Sequence, residues 1–458
     1  MKLSIKEKAG YGLGDTASNF VWALMMNFIM FFYTDIFGIT AAAAGTMLLF
    51  ARCTDGVVDF LIGAVADRTH SKWGRFRPYL IWMCLPLAGA FILTFTTPDW
   101  SAPSKLVYAW VTYNLLMLSY SAINIPYGAL SGVMTDDPHE RTSLNAYRMS
   151  LAQVGGLIAN TSFIALIAKF GGNDRAAGAQ WTVILFASVA VVLFLITFFT
   201  TTERIHPAVG QKTRLRDDIR TLFSNRHWRV VVAAGIISMT FMVIRGTDTI
   251  YYLEKYLGWR DGDHDLIAAF WFLGGVAMIV GAMLTRFAIL ITGSKKRAYI
   301  GSMVLMGVFA IPFYWFAPGH TALVFAFHLA GAIVGGINAT LFWSLVADTA
   351  DYAEWQFKVR TTGIIFSAMT CAQKIGMGIG AAAAGFILSH FHYDAKTVHQ
   401  GGDALDGIVL MMSVIPAAGY FVVAALFGKY GLTDHVCGEI RRDLGERRAA
   451  RERPGFPP

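Results

Sequence analysis

The chain has 458 residues, 55% of them hydrophobic and only 15% charged, with a mean hydropathy of +0.50. A soluble protein of this length carries a charged shell of about a quarter of its residues, so a soluble globular fold is excluded. The net charge of +8 does not mark a nucleic-acid surface, because the basic residues lie between long apolar runs rather than in a patch.

Crossing the hydrocarbon core takes roughly 20 helical residues. The apolar runs predict about twelve spans, near 11–37, 43–66, 79–97, 105–126, 143–169, 179–200, 229–256, 264–291, 297–317, 320–347, 362–390 and 406–430. Backbone N–H and C=O groups in lipid must be satisfied within the segment, so the runs are helices. A closed barrel would alternate polar and apolar residues, and these runs do not.

The first span is too long for a signal peptide and contains Asp15 and Asn19, so it stays as a membrane helix. These two residues stand one turn apart after Tyr11-Gly12-Leu13-Gly14 and offer a carboxylate and an amide to sugar hydroxyls. Asp15 also lies near enough to the basic terminus to serve as a helix N-cap; both readings stand. The second span holds Arg52, Asp55 and Asp59, within roughly 60° of arc on one helical face. A charge at the bilayer centre costs about 2.5–3.5 kcal/mol, and two ionised carboxylates one turn apart repel. A bound cation, a proton or a neighbouring arginine relieves that repulsion, which is what a coupling site requires. The plainer alternative, an Arg52–Asp55 staple between helices, leaves Asp59 over.

Further along, the fourth span carries Tyr120, Ser121 and Asn124 just before Ile125-Pro126-Tyr127-Gly128, where Pro and Gly loosen the helix. Ser121 and Asn124 are candidate cation ligands, and Tyr120 is a candidate sugar contact. Arg148 on the fifth span and Lys374 on the eleventh occupy similar places in the two halves, suited to a substrate carboxylate or to the acidic couple. Trp343 offers a face for a pyranose ring. Arg245 and Asp248 on the seventh span suggest a local ion pair. Asp67, Arg75, Asp136, Arg141, Asp348, Asp351 and Arg360 flank the basic loops, and with Arg52 they are assigned gating or structural roles.

The polar stretch after residue 200 divides the chain into a six-helix bundle over 1–200, a cytoplasmic middle loop over 201–228, a second six-helix bundle over 229–430 and a cytoplasmic tail over 431–458. An internal repeat supports the division. Leu130-Ser131-Gly132-Val133-Met134-Thr135-Asp136-Asp137 leads to Arg141-Thr142, as Ser344-Leu345-Val346-Ala347-Asp348-Thr349-Ala350-Asp351 leads to Arg360-Thr361, about 220 residues later. The loop Ser71-Lys72-Trp73-Gly74-Arg75 matches Ser294-Lys295-Lys296-Arg297 at nearly the same offset. Two parallel six-helix halves with substrate bound near the midplane describe the major-facilitator architecture. Of the 38 Lys and Arg, about 27 fall on the side of the N-terminus and about 5 on the other, which orients both termini to the cytoplasm. Cys53, Cys84, Cys371 and Cys437 have no paired spacing and are expected to be reduced.

These motifs resemble the glycoside–pentoside–hexuronide:cation symporter family of the major facilitator superfamily over nearly the whole chain. The match is densest at Tyr11-Gly12-Leu13-Gly14-Asp15, Tyr33-Thr34-Asp35, Arg52-Cys53-Thr54-Asp55-Gly56-Val57-Val58-Asp59, Trp73-Gly74-Arg75-Phe76-Arg77-Pro78, Asn124-Ile125-Pro126-Tyr127-Gly128 and Ala347-Asp348-Thr349-Ala350-Asp351-Tyr352-Ala353-Glu354. The resemblance implies a cation site at Asp55 and Asp59, a sugar pocket lined at Asn19, Asn124 and Arg148, and Lys374 between pocket and cation site. Its melibiose-carrying branch has acidic residues at the positions of Asn19 and Asn124, and a tryptophan at that of Gly128. The texture here is nearer the glucuronide, xyloside and pentoside carriers. One carboxylate fewer favours H+ over Na+ as coupling ion.

The resulting expectation is a monomeric, multi-pass inner-membrane symporter of a sugar or glycoside, without cofactor, resident metal or nucleic-acid partner. A sodium-driven lipid or lysolipid carrier on the same fold is the alternative. A membrane-embedded enzyme finds no nucleophile elbow, phosphate loop or metal cluster to support it, and a sensor lacks a soluble signalling domain in the short charged tail.

Overall fold

A computed structural model describes residues 3–135, 137–204, 222, 224–259, 264–357, 362–395, 397 and 400–451. Each predicted span is helical: α1 (Ile5–Asn27), α2 (Ala41–Arg68), α3 (Pro78–Thr94), α4 (Ala102–Met134), α5 (Pro138–Gly171), α6 (Arg175–Thr200), α7 (Arg226–Tyr251), α8 (His264–Thr292), α9 (Lys295–Ala310), α10 (Thr321–Phe357), α11 (Thr362–His390), and a last span broken at Ser413 into α12 (Gly402–Met412) and α13 (Val414–Phe427). Among the described residues nine helices are long and apolar enough to cross a membrane, or ten if α1 and its continuation Ile29–Ile36, bent by 60°, count as one span. Of the two other stretches, α2 has 28 residues and carries Arg52, Asp55 and Asp59, and α3 is an apolar helix of 17 residues.

Two positions 220 residues apart repeat one local device. Phe32–Ile36 and Tyr252–Tyr256 are single π-helical turns, closed by Phe37 N–H to the Phe32 carbonyl at 2.8 Å and Leu257 N–H to the Tyr252 carbonyl at 2.9 Å. Both stop at a glycine in the left-handed region, Gly38 at φ 85° and Gly258 at φ 76°, where a Cβ would be strained. The extra residue in each turn widens the helix and re-aims the side chains that follow.

By their contacts the helices form two compact units: Met1–Gly210 with Val243–Gly275 and Gly378–Val409, and Gln211–Met242 with Val276–Met377 and Leu410–Pro458. Thus α7, α8, α11 and α12 each contribute to both. In the first unit α1 lies chiefly against α5 and α6. The α1–α5 approach is close enough that a Cβ on Gly155 would stand 2.7 Å from the Thr16 carbonyl oxygen, so the position admits glycine alone. At the basic end of this pair Lys8 meets Glu140 at 2.9 Å, and that hydrogen bond holds the Glu140 carboxyl below the usual carboxylate range. The core of the second unit gathers Trp228, Tyr299, Phe342, Leu345, Tyr420 and Phe427.

The tail is more ordered than a solvated segment. Asp434–Arg451 forms α14, which buries Cys437, Ile440 and Leu444 and receives the Trp355 indole N–H on Asp443 at 3.0 Å. Cys84, Cys371 and Cys437 are free thiols.

Candidate functional site

The sequence motifs of α1 and α4 dock on each other. Tyr11 and Tyr127 stack at 4.7 Å, and each hydroxyl donates to the other's backbone carbonyl, at 3.1 and 2.6 Å. A phenol that reaches a main-chain acceptor meets its polar demand while its ring fills the core. This clasp fixes the register of α1 against α4, and so places the polar residues one to two turns further along both helices.

Asp15 is not an N-cap. The helix begins ten residues earlier, where Ser4 and Glu7 form a capping box. Asp15 is an interior residue, 8% exposed, and receives the Arg148 Nε–H at 2.8 Å. The Arg148 guanidinium also lies over the Tyr127 ring at 5.3 Å. Asn19 donates to the Asp15 backbone carbonyl at 2.8 Å. Asn124 is engaged on both sides: its Oδ1 accepts from Ser18 Oγ at 2.7 Å, and its Nδ2 donates to the Tyr120 carbonyl at 3.0 Å. Two polar links therefore leave α1: Asp15 to Arg148 of α5, and Ser18 to Asn124 of α4.

The acidic couple lies on α2. Asp55 is 2% exposed and accepts from the Ser121 hydroxyl at 3.1 Å. Arg52 approaches Asp55 Oδ2 only to 3.9 Å, which is a charge contact beyond hydrogen-bonding range. Its guanidinium instead sits over Trp22 at 5.2 Å, and Trp22 stacks on Tyr120 at 5.6 Å. Asp59, one turn along the same helix, is half-buried. The staple expected between Arg52 and Asp55 is therefore a charge contact without a hydrogen bond, and Arg52 makes a cation–π contact with Trp22 beside it. Nothing in the sequence singled out Trp22 from the other aromatic residues of the spans.

The remaining predicted positions behave differently. Trp343 is 41% exposed and stacks on Phe366 at 6.0 Å, with planes 8° apart. Lys374 is half-buried on α11, and Asp351 is half-buried on α10. Asp348 is ion-paired with Lys295 of the same unit, and Arg141 hydrogen-bonds the Thr135 carbonyl at 3.1 Å at the end of α4. Asp136 and Arg360 lie outside the described residues, as does the side chain of Asp67. In the loop holding Arg75, the backbone N–H groups of Arg75, Phe76 and Arg77 converge on the Glu203 carboxylate at 2.9, 2.7 and 2.8 Å. The motif Trp73-Gly74-Arg75-Phe76-Arg77-Pro78 is thus a carboxylate nest that ties the loop to the end of α6. Glu203 is the partner that the motif alone could not name.

A second cluster, within the first unit, was not foreseen. The two π turns bring Asp35 and Lys255 together at 2.7 Å, both side chains 3% exposed. The Tyr393 hydroxyl lies 2.7 and 2.9 Å from the two Asp35 oxygens. Beside them Thr34 and Tyr251 share a hydrogen bond of 2.7 Å, and Arg175 holds Glu254 through two bonds of 3.1 Å. Asp35 is in a motif that the sequence analysis singled out. Its partner follows from the 220-residue offset, which leads from Asp35 to Lys255.

Comparison with known proteins agrees with this architecture. The family described as MFS/sugar transport protein matches residues 10–434. The chain is 35% identical over 455 residues to the putative glycoside/cation symporter YagG of Escherichia coli K12, covering 98% of this chain and 96% of that one. It is 32% identical over 453 residues to the isoprimeverose transporter of Lactiplantibacillus pentosus, covering 97% and 92%. The solved D-xylose–proton symporter superposes with a TM-score of 0.67 over 93% of this chain and 98% of its own, at 12% identity, which speaks for the fold alone. With an acidic couple in α2 and matches along almost its whole length, the chain belongs to the MFS/sugar transport family, within its glycoside–pentoside–hexuronide:cation symporters.

Proposed function

We propose that the protein carries a sugar glycoside of the xyloside, pentoside or glucuronide type across the inner membrane together with a proton, by alternating access. The observation that carries the reading is Asp55: a carboxylate 2% exposed inside a membrane helix, with a serine hydroxyl at 3.1 Å, its arginine held off at 3.9 Å, and Asp59 one turn along. Such a couple is relieved when a positive charge joins it and strained when that charge leaves. Loading the ion and loading the sugar raise each other's affinity by the same factor, because linkage is reciprocal.

Asp15, Asn19, Asn124, Tyr120 and Arg148 are the proposed sugar contacts of the first unit; Trp343 and Lys374 are proposed for a sugar ring and a carboxylate respectively. The engagement of Asn124 with Ser18 and the Tyr120 carbonyl supports the proton. It holds the amide oxygen on Ser18 of α1, and a proton, unlike a sodium ion, needs only one basic carboxylate. The name of the isoprimeverose transporter, 32% identical, supports a xyloside-type substrate. The carrier works as a monomer on this reading.

Uptake into membrane vesicles tests it. Asp55→Asn and Asp59→Asn are each expected to abolish gradient-driven accumulation while leaving sugar exchange measurable. Accumulation that survives in both variants refutes the assignment. Competition by a panel of glycosides, pentosides and hexuronides, with and without sodium, identifies the sugar class and the ion.

A further inference from the structure

Asp248, near the end of α7, is 0% exposed, and neither of its carboxylate oxygens accepts a hydrogen bond from any described group. The local ion pair with Arg245 that the sequence suggests does not form as a hydrogen bond. An ionised carboxylate in that setting would forfeit the solvation of water with nothing to replace it, a cost of several kcal/mol even after relaxation. The repeat sharpens the anomaly. The position 220 residues earlier is Phe28, also 0% exposed, packed on Phe163 at 4.8 Å and Trp271 at 5.7 Å. The same place in the first half is an apolar core position, so the architecture does not demand an acid here. An acid in a membrane helix without a structural return points to function.

Among the described residues, the charged and titratable groups around this end of α7 can be named. Arg245, one turn away, is the charged side chain whose field reaches Asp248, and Tyr251 and Tyr252 feel the aspartate in turn. Asp35 is held by Lys255 and Tyr393, and Glu254 by Arg175. Asn27, on the facing helix, is hydrogen-bonded to Asn160 at 2.9 Å. No group of three or more His, Cys, Asp or Glu among the described residues gathers as a metal site, so the ligand chemistry that suits a lone buried carboxyl is the proton.

We propose that Asp248 is a second proton-binding site of this carrier, separate from Asp55 and Asp59. In the conformation described, the carboxyl is neutral. When α7 brings it to water, its O–H bond breaks heterolytically, the proton passes to a water molecule as hydronium, and the electron pair stays on the carboxylate. Arg245 offsets the charge that appears. The buried neutral form and the hydrated ionised form then favour different conformations of α7, as a two-state element must if it is to couple to transport.

Infrared difference spectroscopy of the full chain in liposomes tests this without any sugar, using a pH change as the probe. The expected result is a carboxylic-acid C=O band at neutral pH that is lost in Asp248→Asn. It persists in the Asp55→Asn/Asp59→Asn double variant, whatever that variant does in transport, so the two assignments fail or succeed apart. In wild type the band should vanish reversibly as pH rises while circular dichroism shows the helices intact. A spectrum of Asp248→Asn identical to wild type overturns the proposal, as does a band that stays until the protein unfolds, which would mark a permanently neutral structural acid. If Asp248→Asn does not fold, Asp248→Glu keeps the acid and shifts the band; an unshifted band is equally fatal.

Discussion

Arg148 meets Asp15 at 2.8 Å with the two side chains 25% and 11% exposed, so each neutralises the other where water is scarce. Removing one partner leaves the other charge partly desolvated, at a cost of about 1–3 kcal/mol; removing both discards the desolvation penalty along with the attraction. Thermal unfolding in detergent should therefore show Asp15→Asn and Arg148→Gln each lowering the melting temperature, and the double variant losing less than their sum by about 1–2 kcal/mol. Strict additivity would mean that the contact carries no coupling. At this scale the acids and bases were legible in the sequence, because a charge inside an apolar run is conspicuous. Their partners were not. Ser18, Trp22 and Glu203 are ordinary residue types whose roles arise from tertiary neighbours, and no spacing along the chain encodes those.

At the scale of elements, the two π turns matter because they aim Asp35 and Lys255 at each other. A like-charge pair placed there costs several kcal/mol. Lys255→Asp should therefore loosen this cluster and speed alkylation of a cysteine placed at Thr34, which is 2% exposed, by at least about tenfold in a cysteine-free background, equivalent to about 1.4 kcal/mol. The exchange Asp35→Lys/Lys255→Asp should restore slow labelling, and rates equal in all three proteins would show that the pair closes nothing. The helices themselves were legible from length and apolarity. The interruptions at Phe32–Ile36, Tyr252–Tyr256 and Ser413 were hidden because the hydrogen-bond pattern that makes them leaves no mark in residue type: none of the three contains a Pro or Gly. The docked helix Asp434–Arg451 was hidden for the opposite reason: its three buried residues, Cys437, Ile440 and Leu444, are outnumbered by charges.

For the whole molecule, the distribution of about 27 basic residues against about 5 proposes both ends of the chain on the inner face. Tags at either terminus should resist protease added outside intact spheroplasts and yield to it in inverted vesicles, while an epitope inserted after Gly401 should show the reverse. The pairing of Asp35 with Lys255 has a consequence for history as well. In a symmetric dimer of two identical six-helix ancestors, corresponding residues that touch lie on the twofold axis, where each position faces its own copy. Asp35 and Lys255 correspond at the 220-residue offset, so an aspartate in that ancestor would have opposed an aspartate, and a lysine a lysine. Attraction at this point therefore requires the two halves to differ here, as they do, with an aspartate in one and a lysine in the other.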